Sequence, residues 1–266
     1  MTVPKRTTTN REVQRPHDTT IRYTISGPAE GPTLAFIHGW GCNRRDFDAV
    51  IGFLPAHYRV LAIDLAEHGE SRSTREVWTM EEFARDVAAV LAAEAVVSCA
   101  VVGHSLGGAV AVETGRILPE VVSHVIALDA LHYLSLFPAQ DEQQAHAVLQ
   151  PFREDFAAAM RGMVEAGSPE GTDPALNDAY FAKMVTVRQP AGLRSLEGLV
   201  HWDMDAALRE VTRPVTLFAV RSILSQEAIE RYGDRIHIVP VDLGTHHFHV
   251  ESPEGTAELL VDTLSE

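Results

Sequence analysis

The chain has 266 residues, 45% of them apolar and 22% charged, which is enough apolar surface for a large core and argues against global disorder. With 22 Lys and Arg against 37 Asp and Glu, the formal net charge of −15 argues against a nucleic-acid or anionic-membrane surface. No stretch approaches ~18 continuous apolar residues, and the start Met1-Thr2-Val3-Pro4-Lys5-Arg6 lacks an apolar signal region, so a cytoplasmic protein of one domain with an insertion is expected.

In chain order, residues 1–17 are expected to be flexible, and His17 to Ser26 predicts an early strand that ends at the turn Gly27-Pro28-Ala29-Glu30-Gly31-Pro32. Thr33 to Ile37 is a short apolar strand running into His38-Gly39-Trp40-Gly41, with Cys42 just beyond as a packed thiol. Tyr58 to Asp64 predicts the next core strand. Phe83, Val87, Val90 and Leu91 then recur at helical spacing.

The apolar run Cys99 to Val102 enters Gly103-His104-Ser105-Leu106-Gly107-Gly108, and a helical stretch from Ala109 to Leu118 leaves it. Cys99 reads as a buried small hydrophobe. A Gly-x-Ser-x-Gly turn between strand and helix presents the serine oxygen clear of the sheet, so Ser105 is the candidate nucleophile. Acyl transfer needs two donors aimed at the developing oxyanion, and the backbone N–H groups of Trp40 and Leu106 are the candidates. His38 and His104 flank these turns, where they contact substrate or pack.

The strand His124 to Leu128 ends in Asp129, a carboxylate that a parallel sheet puts on the same edge as Ser105. The strand rhythm then stops, and Leu149, Phe152, Phe156, Met160 and Met163 follow one helical face from about Asp141 to Ala166. Asp203 and Asp205 read as helix-start residues. Val215 to Val220 is a strand with no carboxylate after it until Glu227. Arg235 to Val241 alternates like a strand and leads into His246-His247-Phe248-His249, one of whose histidines is the expected base. Neighbouring histidines on an extended loop diverge, and no Cys or His-Glu-x-x-His spacing accompanies them, so no metal is expected.

These motifs, from about Pro32 to the C-terminus, resemble the α/β-hydrolase superfamily. In it the base commonly lies five residues before a Glu-x-Pro; Glu251-Ser252-Pro253 selects His246, with His247 as the fallback. Asp64-Leu65-Ala66-Glu67-His68-Gly69-Glu70-Ser71 is similar to the family's Asp-x-x-Gly-His-Gly-x-Ser turn, with Glu67 where glycine is usual. The resemblance implies an α/β-hydrolase fold, mostly parallel and flanked by helices, with its core in 18–130 and 213–266 and a helical cap in 131–212. Some members carry the acid after the strand here ending at Leu128, which makes Asp129 the partner of His246. The implied activity is cofactor-free hydrolysis of a small-molecule ester or lactone by Ser105, His246 and Asp129, with His38, His104 and His247 as substrate contacts. The chain also resembles cofactor-free ring-cleaving dioxygenases of N-heteroaromatics on the same scaffold. A non-catalytic small-molecule receptor is the third reading, and no oligomeric state is read from the sequence.

Overall fold

The computed structural model describes residues 6–133 and 140–265, so residues 1–5 of the expected leader, 134–139 of the expected cap and Glu266 lie outside the described residues. Eight strands among them form one sheet: β1 (Thr8–Arg15), β2 (Thr19–Ser26), β3 (Thr33–Ile37), β4 (Arg59–Ile63), β5 (Cys99–His104), β6 (Val122–Leu128), β7 (Val215–Val220) and β8 (His237–Val241). Their order is β1-β2-β4-β3-β5-β6-β7-β8. The two pairings that involve β2 are antiparallel, and β3 to β8 are joined by parallel ladders.

The central strands read as continuous apolar runs because helices cover both faces of the sheet. Every residue of β3, β4, β5 and β7 is buried, and successive side chains divide between two cores. Ala35, Ile37 and Val101 pack on one side, Leu34, Phe36 and Val102 on the other.

Where the sequence predicts a flexible leader over residues 1–17, Thr8–Arg15 pairs with β2 along its whole length. Its side chains are mostly exposed, so the apolar signal is missing and the ladder of backbone hydrogen bonds makes the strand. His17 and Asp18 both take positive φ in the three-residue turn Pro16-His17-Asp18, which starts β2 at Thr19 instead of His17.

The helices are α1 (Asp48–Phe53), α2 (Met80–Ala93), α3 (Leu106–Ile117), α4 (Glu142–Glu154), α5 (Phe156–Ala166), α6 (Pro174–Met184), α7 (Ala191–Val200), α8 (Met204–Glu210), α9 (Gln226–Tyr232), α10 (Phe248–Glu251) and α11 (Pro253–Ser265). In α2 the Thr79 side chain caps the first turn, and Phe83, Val87, Val90 and Leu91 are all buried, as their spacing predicts. α2 and α8 pack against α3, and α1 packs against α11.

Among the described residues five helices, α4 to α8, intervene between β6 and β7. The single helical face read from Asp141 to Ala166 is two helices. Asp155 leaves the helical region (φ −145°, ψ 91°) and its carboxylate accepts from the Ala158 N–H, closing α4 and capping α5. Asp203 caps α8 in the same way, as expected of a helix-start residue.

Candidate active site

Parallel pairing of β3, β5, β6 and β7 brings their carboxyl ends to one edge of the sheet, where the candidate residues meet. Ser105 sits between β5 and α3 at φ 52°, ψ −121°, a conformation that L-residues adopt at a cost of order 1–3 kcal/mol. The flanking glycines make it possible. A side chain at Gly103 would collide with the Gly107 carbonyl, and one at Gly107 with the Ile37 carbonyl of β3.

Asp129 follows β6 and is fully buried, yet each of its oxygens has two donors. Oδ1 accepts the Val220 N–H at 2.7 Å and the His132 Nε2–H at 3.0 Å. Oδ2 accepts His246 Nδ1–H at 2.6 Å and the Tyr133 hydroxyl at 2.6 Å. Burial alone would raise this carboxyl, but the bonds from His132 and His246 hold it well below the usual carboxylate range. It is therefore a permanent anion at neutral pH. The Tyr133 oxygen also lies 3.0 Å from His246 Nδ1, so one proton-rich triangle fixes the imidazole.

The Glu-x-Pro glutamate sets the loop that carries His246. Glu251 accepts the Thr245 N–H at 3.0 Å and the Tyr180 hydroxyl at 2.9 Å, and also bonds the Thr245 hydroxyl. His246 thus reaches Asp129, whereas His247 turns away and stacks on Tyr180, ring centroids 4.0 Å apart. Glu227, the first carboxylate after β7, lies in the first turn of α9.

Ser105, His104, His246 and His247 share one cavity of about 370 Å³. The rest of its wall is mostly apolar, with Trp40, Val148, Phe152, Met163, Leu196 and Leu199 beside Tyr133, and among the described residues no Asp, Glu, Lys or Arg lines it. Most of this wall comes from α4 to α7. Phe152 and Met163 of the predicted helical face line the cavity, while Leu149 and Met160 are buried in the core and Phe156 packs edge-on against Trp40. The Trp40 indole is buried and donates to the Gly192 carbonyl at 2.8 Å. Leu106 opens α3, so its N–H has no carbonyl four residues back in the helix to bond.

Besides the Trp40–Gly192 bond, further polar links join the α4–α8 segment to the loops of the sheet. The His246 N–H bonds the Gly167 carbonyl at 2.8 Å, Arg188 pairs with Glu67 at 2.9 Å, and Tyr180 bonds Glu251. Glu67 holds φ 59°, the left-handed conformation for which glycine is usual at this place, and its side chain also accepts the Ser73 N–H.

The other predicted contacts divide. His104 and His247 line the cavity; His38 does not. The His38 ring donates Nδ1–H to the Gly39 carbonyl at 2.7 Å and accepts the Leu65 N–H on Nε2 at 3.0 Å, so it ties β3 to the loop after β4 as a neutral ring. Burial holds His38, His104 and His247 below the ordinary histidine range. The sequence reading missed His132 and Tyr133, although both lie within four residues of Asp129. It also missed that one sulfur and two imidazoles converge, for the donor atoms of Cys42, His104 and His247 all lie within 4.8 Å of one another.

A family model described as "Alpha/beta hydrolase family" matches residues 34–259. The chain is 29% identical over 257 residues to the magnesium-chelatase 30 kDa subunit of Rhodobacter capsulatus, covering 90% of this chain and 89% of that one. It is 30% identical over 228 residues to the pimeloyl-[acyl-carrier protein] methyl ester esterase of Methylococcus capsulatus, with 83% and 82% covered. Among solved structures, an esterase from Exiguobacterium antarcticum superposes with a TM-score of 0.81 at 18% identity, covering 97% of this chain and all (100%) of that one.

Proposed function

We propose, from the premise that this chain belongs to the alpha/beta hydrolase family, that it is a serine hydrolase cleaving a carboxylic ester or lactone with an uncharged, apolar acyl group. The observation that carries this reading is the opening of Ser105, at its left-handed turn, and the Asp129-anchored His246 onto one apolar cavity. A volume of about 370 Å³ is at the small end for ligand pockets, and a wall with no Asp, Glu, Lys or Arg among the described residues leaves a charged acyl group unpaired.

In this mechanism His246 takes the Ser105 proton as the oxygen attacks the ester carbonyl, and the imidazolium that forms is stabilised by Asp129. The Trp40 and Leu106 N–H groups receive the oxyanion. His246 then protonates the leaving alcohol, and water activated by the same ring releases the acid from Ser105.

The acid after β6 also supports the dioxygenase reading, in which His246 and Asp129 deprotonate the substrate and Ser105 forms no covalent bond. Treatment with an activated organophosphonate separates the two. A one-to-one adduct on Ser105 by intact mass, together with loss of aryl-ester hydrolysis in a folded Ser105→Ala variant, is the expected result. A variant that keeps more than a few per cent of the activity would remove the acyl-enzyme, as would a phosphonate that leaves Ser105 unmodified.

A further inference from the structure

We propose that Cys42, His104 and His247 form an inhibitory binding site for a borderline-soft divalent metal ion, Zn²⁺, distinct from the groups that carry the reaction. The three side chains are buried, and their donor atoms lie within 4.8 Å of one another. In a tetrahedral site with bonds of about 2.0–2.3 Å, donors stand roughly 3.3–3.6 Å apart, so side-chain shifts on the order of 1 Å close the set around an ion. One thiolate and two imidazoles favour zinc over magnesium or calcium.

A second observation points the same way. His104 gives its Nε2–H to the His246 carbonyl at 2.8 Å, which leaves the Nδ1 lone pair buried without a partner. An imidazole oriented by a carbonyl on one nitrogen and free on the other is the usual state of a metal-binding histidine. Beside it, His249 is buried with both ring nitrogens unpartnered, its ring centroid 4.2 Å from that of His104. Ligation needs no redox partner. The Cys42 thiol proton is released to solvent as the sulfur–metal bond forms, and both imidazoles bind through neutral nitrogens.

The inhibition follows from where the ligands stand in the chain. Cys42 is two residues after Trp40, His104 immediately precedes Ser105, and His247 immediately follows His246. An ion that draws these three together pulls on the segments that hold Trp40, Ser105 and His246, and a misplacement of ~1 Å there can cost on the order of 10²-fold in rate.

The test uses the full chain freed of metal by chelation. Titration with Co²⁺ as a spectroscopic probe is expected to give a thiolate-to-cobalt charge-transfer absorption that saturates at one equivalent, is bleached by Zn²⁺ and is missing in Cys42→Ala. Aryl-ester hydrolysis by the wild type should be inhibited by Zn²⁺ and restored by EDTA. Cys42→Ala should hydrolyse the ester at the wild-type rate while its sensitivity to Zn²⁺ falls by at least about tenfold. A wild-type cobalt spectrum without thiolate absorption overturns the proposal. Equal Zn²⁺ sensitivity in a folded Cys42→Ala or Cys42→Ser variant also overturns it, because the ion then acts on His246 alone. If the wild type cleaves no ester, the hydrolase reading fails and the cobalt spectrum by itself still decides the site.

Discussion

Asp129 accepts from four donors, two on each oxygen, and no rotation of an amide can satisfy all of them. In Asp129→Asn the new NH₂ must face either His132 and Val220 or His246 and Tyr133, setting donor against donor. We expect turnover to fall by roughly 10² to 10⁴-fold, through loss of the imidazole's orientation and charge partner, with a buried-donor cost of about 1–3 kcal/mol in stability. Steady-state kinetics and thermal melts of the same preparation check both. A variant near wild-type turnover would move the acid elsewhere. As candidates, Ser105, His246 and Asp129 were legible in the sequence because each follows an apolar strand, Ser105 within a Gly-x-Ser-x-Gly turn, His246 five residues before a Glu-x-Pro, and Asp129 directly after the strand that ends at Leu128. Tyr133 and His132 were not, since a hydroxyl and an imidazole in a loop acquire meaning only when a backbone at positive φ, as at Asp129 and Leu131, folds them back.

At the scale of elements, the boundary between α4 and α5 shows how a periodic pattern misleads. Leu149, Phe152, Phe156, Met160 and Met163 keep steps of three and four residues straight through the break, so apolar spacing alone joins the two helices. What divides them is the Asp155 carboxylate on the Ala158 N–H. Asp155→Ala should therefore cost about 1 kcal/mol by loss of the cap, lowering Tm by roughly 2–4 °C in a chain of this size. Calorimetry measures it, and an unchanged Tm would mean that packing of the two helices holds the break without the cap. β1 marks the opposite limit, because an exposed edge strand is made by pairing its backbone and leaves little trace in side-chain pattern.

Across the whole molecule, the distribution of histidine matters more for acid stability than the net charge. His38, His68, His104, His247 and His249 are all buried, and burial pushes each below the ordinary range, to about 3 for His68 and His249. Unfolded, they take up protons near pH ~6.5, while the native chain does not until its lower values are reached. The stability they allow is fully present above pH ~6.5 and is lost as pH falls toward those native values, at up to ~1.4 kcal/mol per pH unit for each ring. Set against a typical total of 5–15 kcal/mol, this predicts a Tm that is flat near neutrality and collapses between about pH 6.5 and 5. A melting series in that window that stays level would refute it. The sequence displays 13 histidines, but which of them are interior is a property of the folded chain.

The cavity has a divided authorship. The groups proposed to react come from the loops after β3, β5, β6 and β8, whereas most of its wall belongs to one contiguous stretch, residues 142–200. Chemistry and selectivity are thus written in separate passages of the chain, and the second can be rewritten without editing the first. Such a graft must preserve the stitches between the two, among them a carbonyl for the His246 N–H, a carbonyl for the Trp40 indole, a cation for Glu67, and a hydroxyl for Glu251. Any segment that meets those terms inherits the proposed reaction centre and is free to choose what enters it.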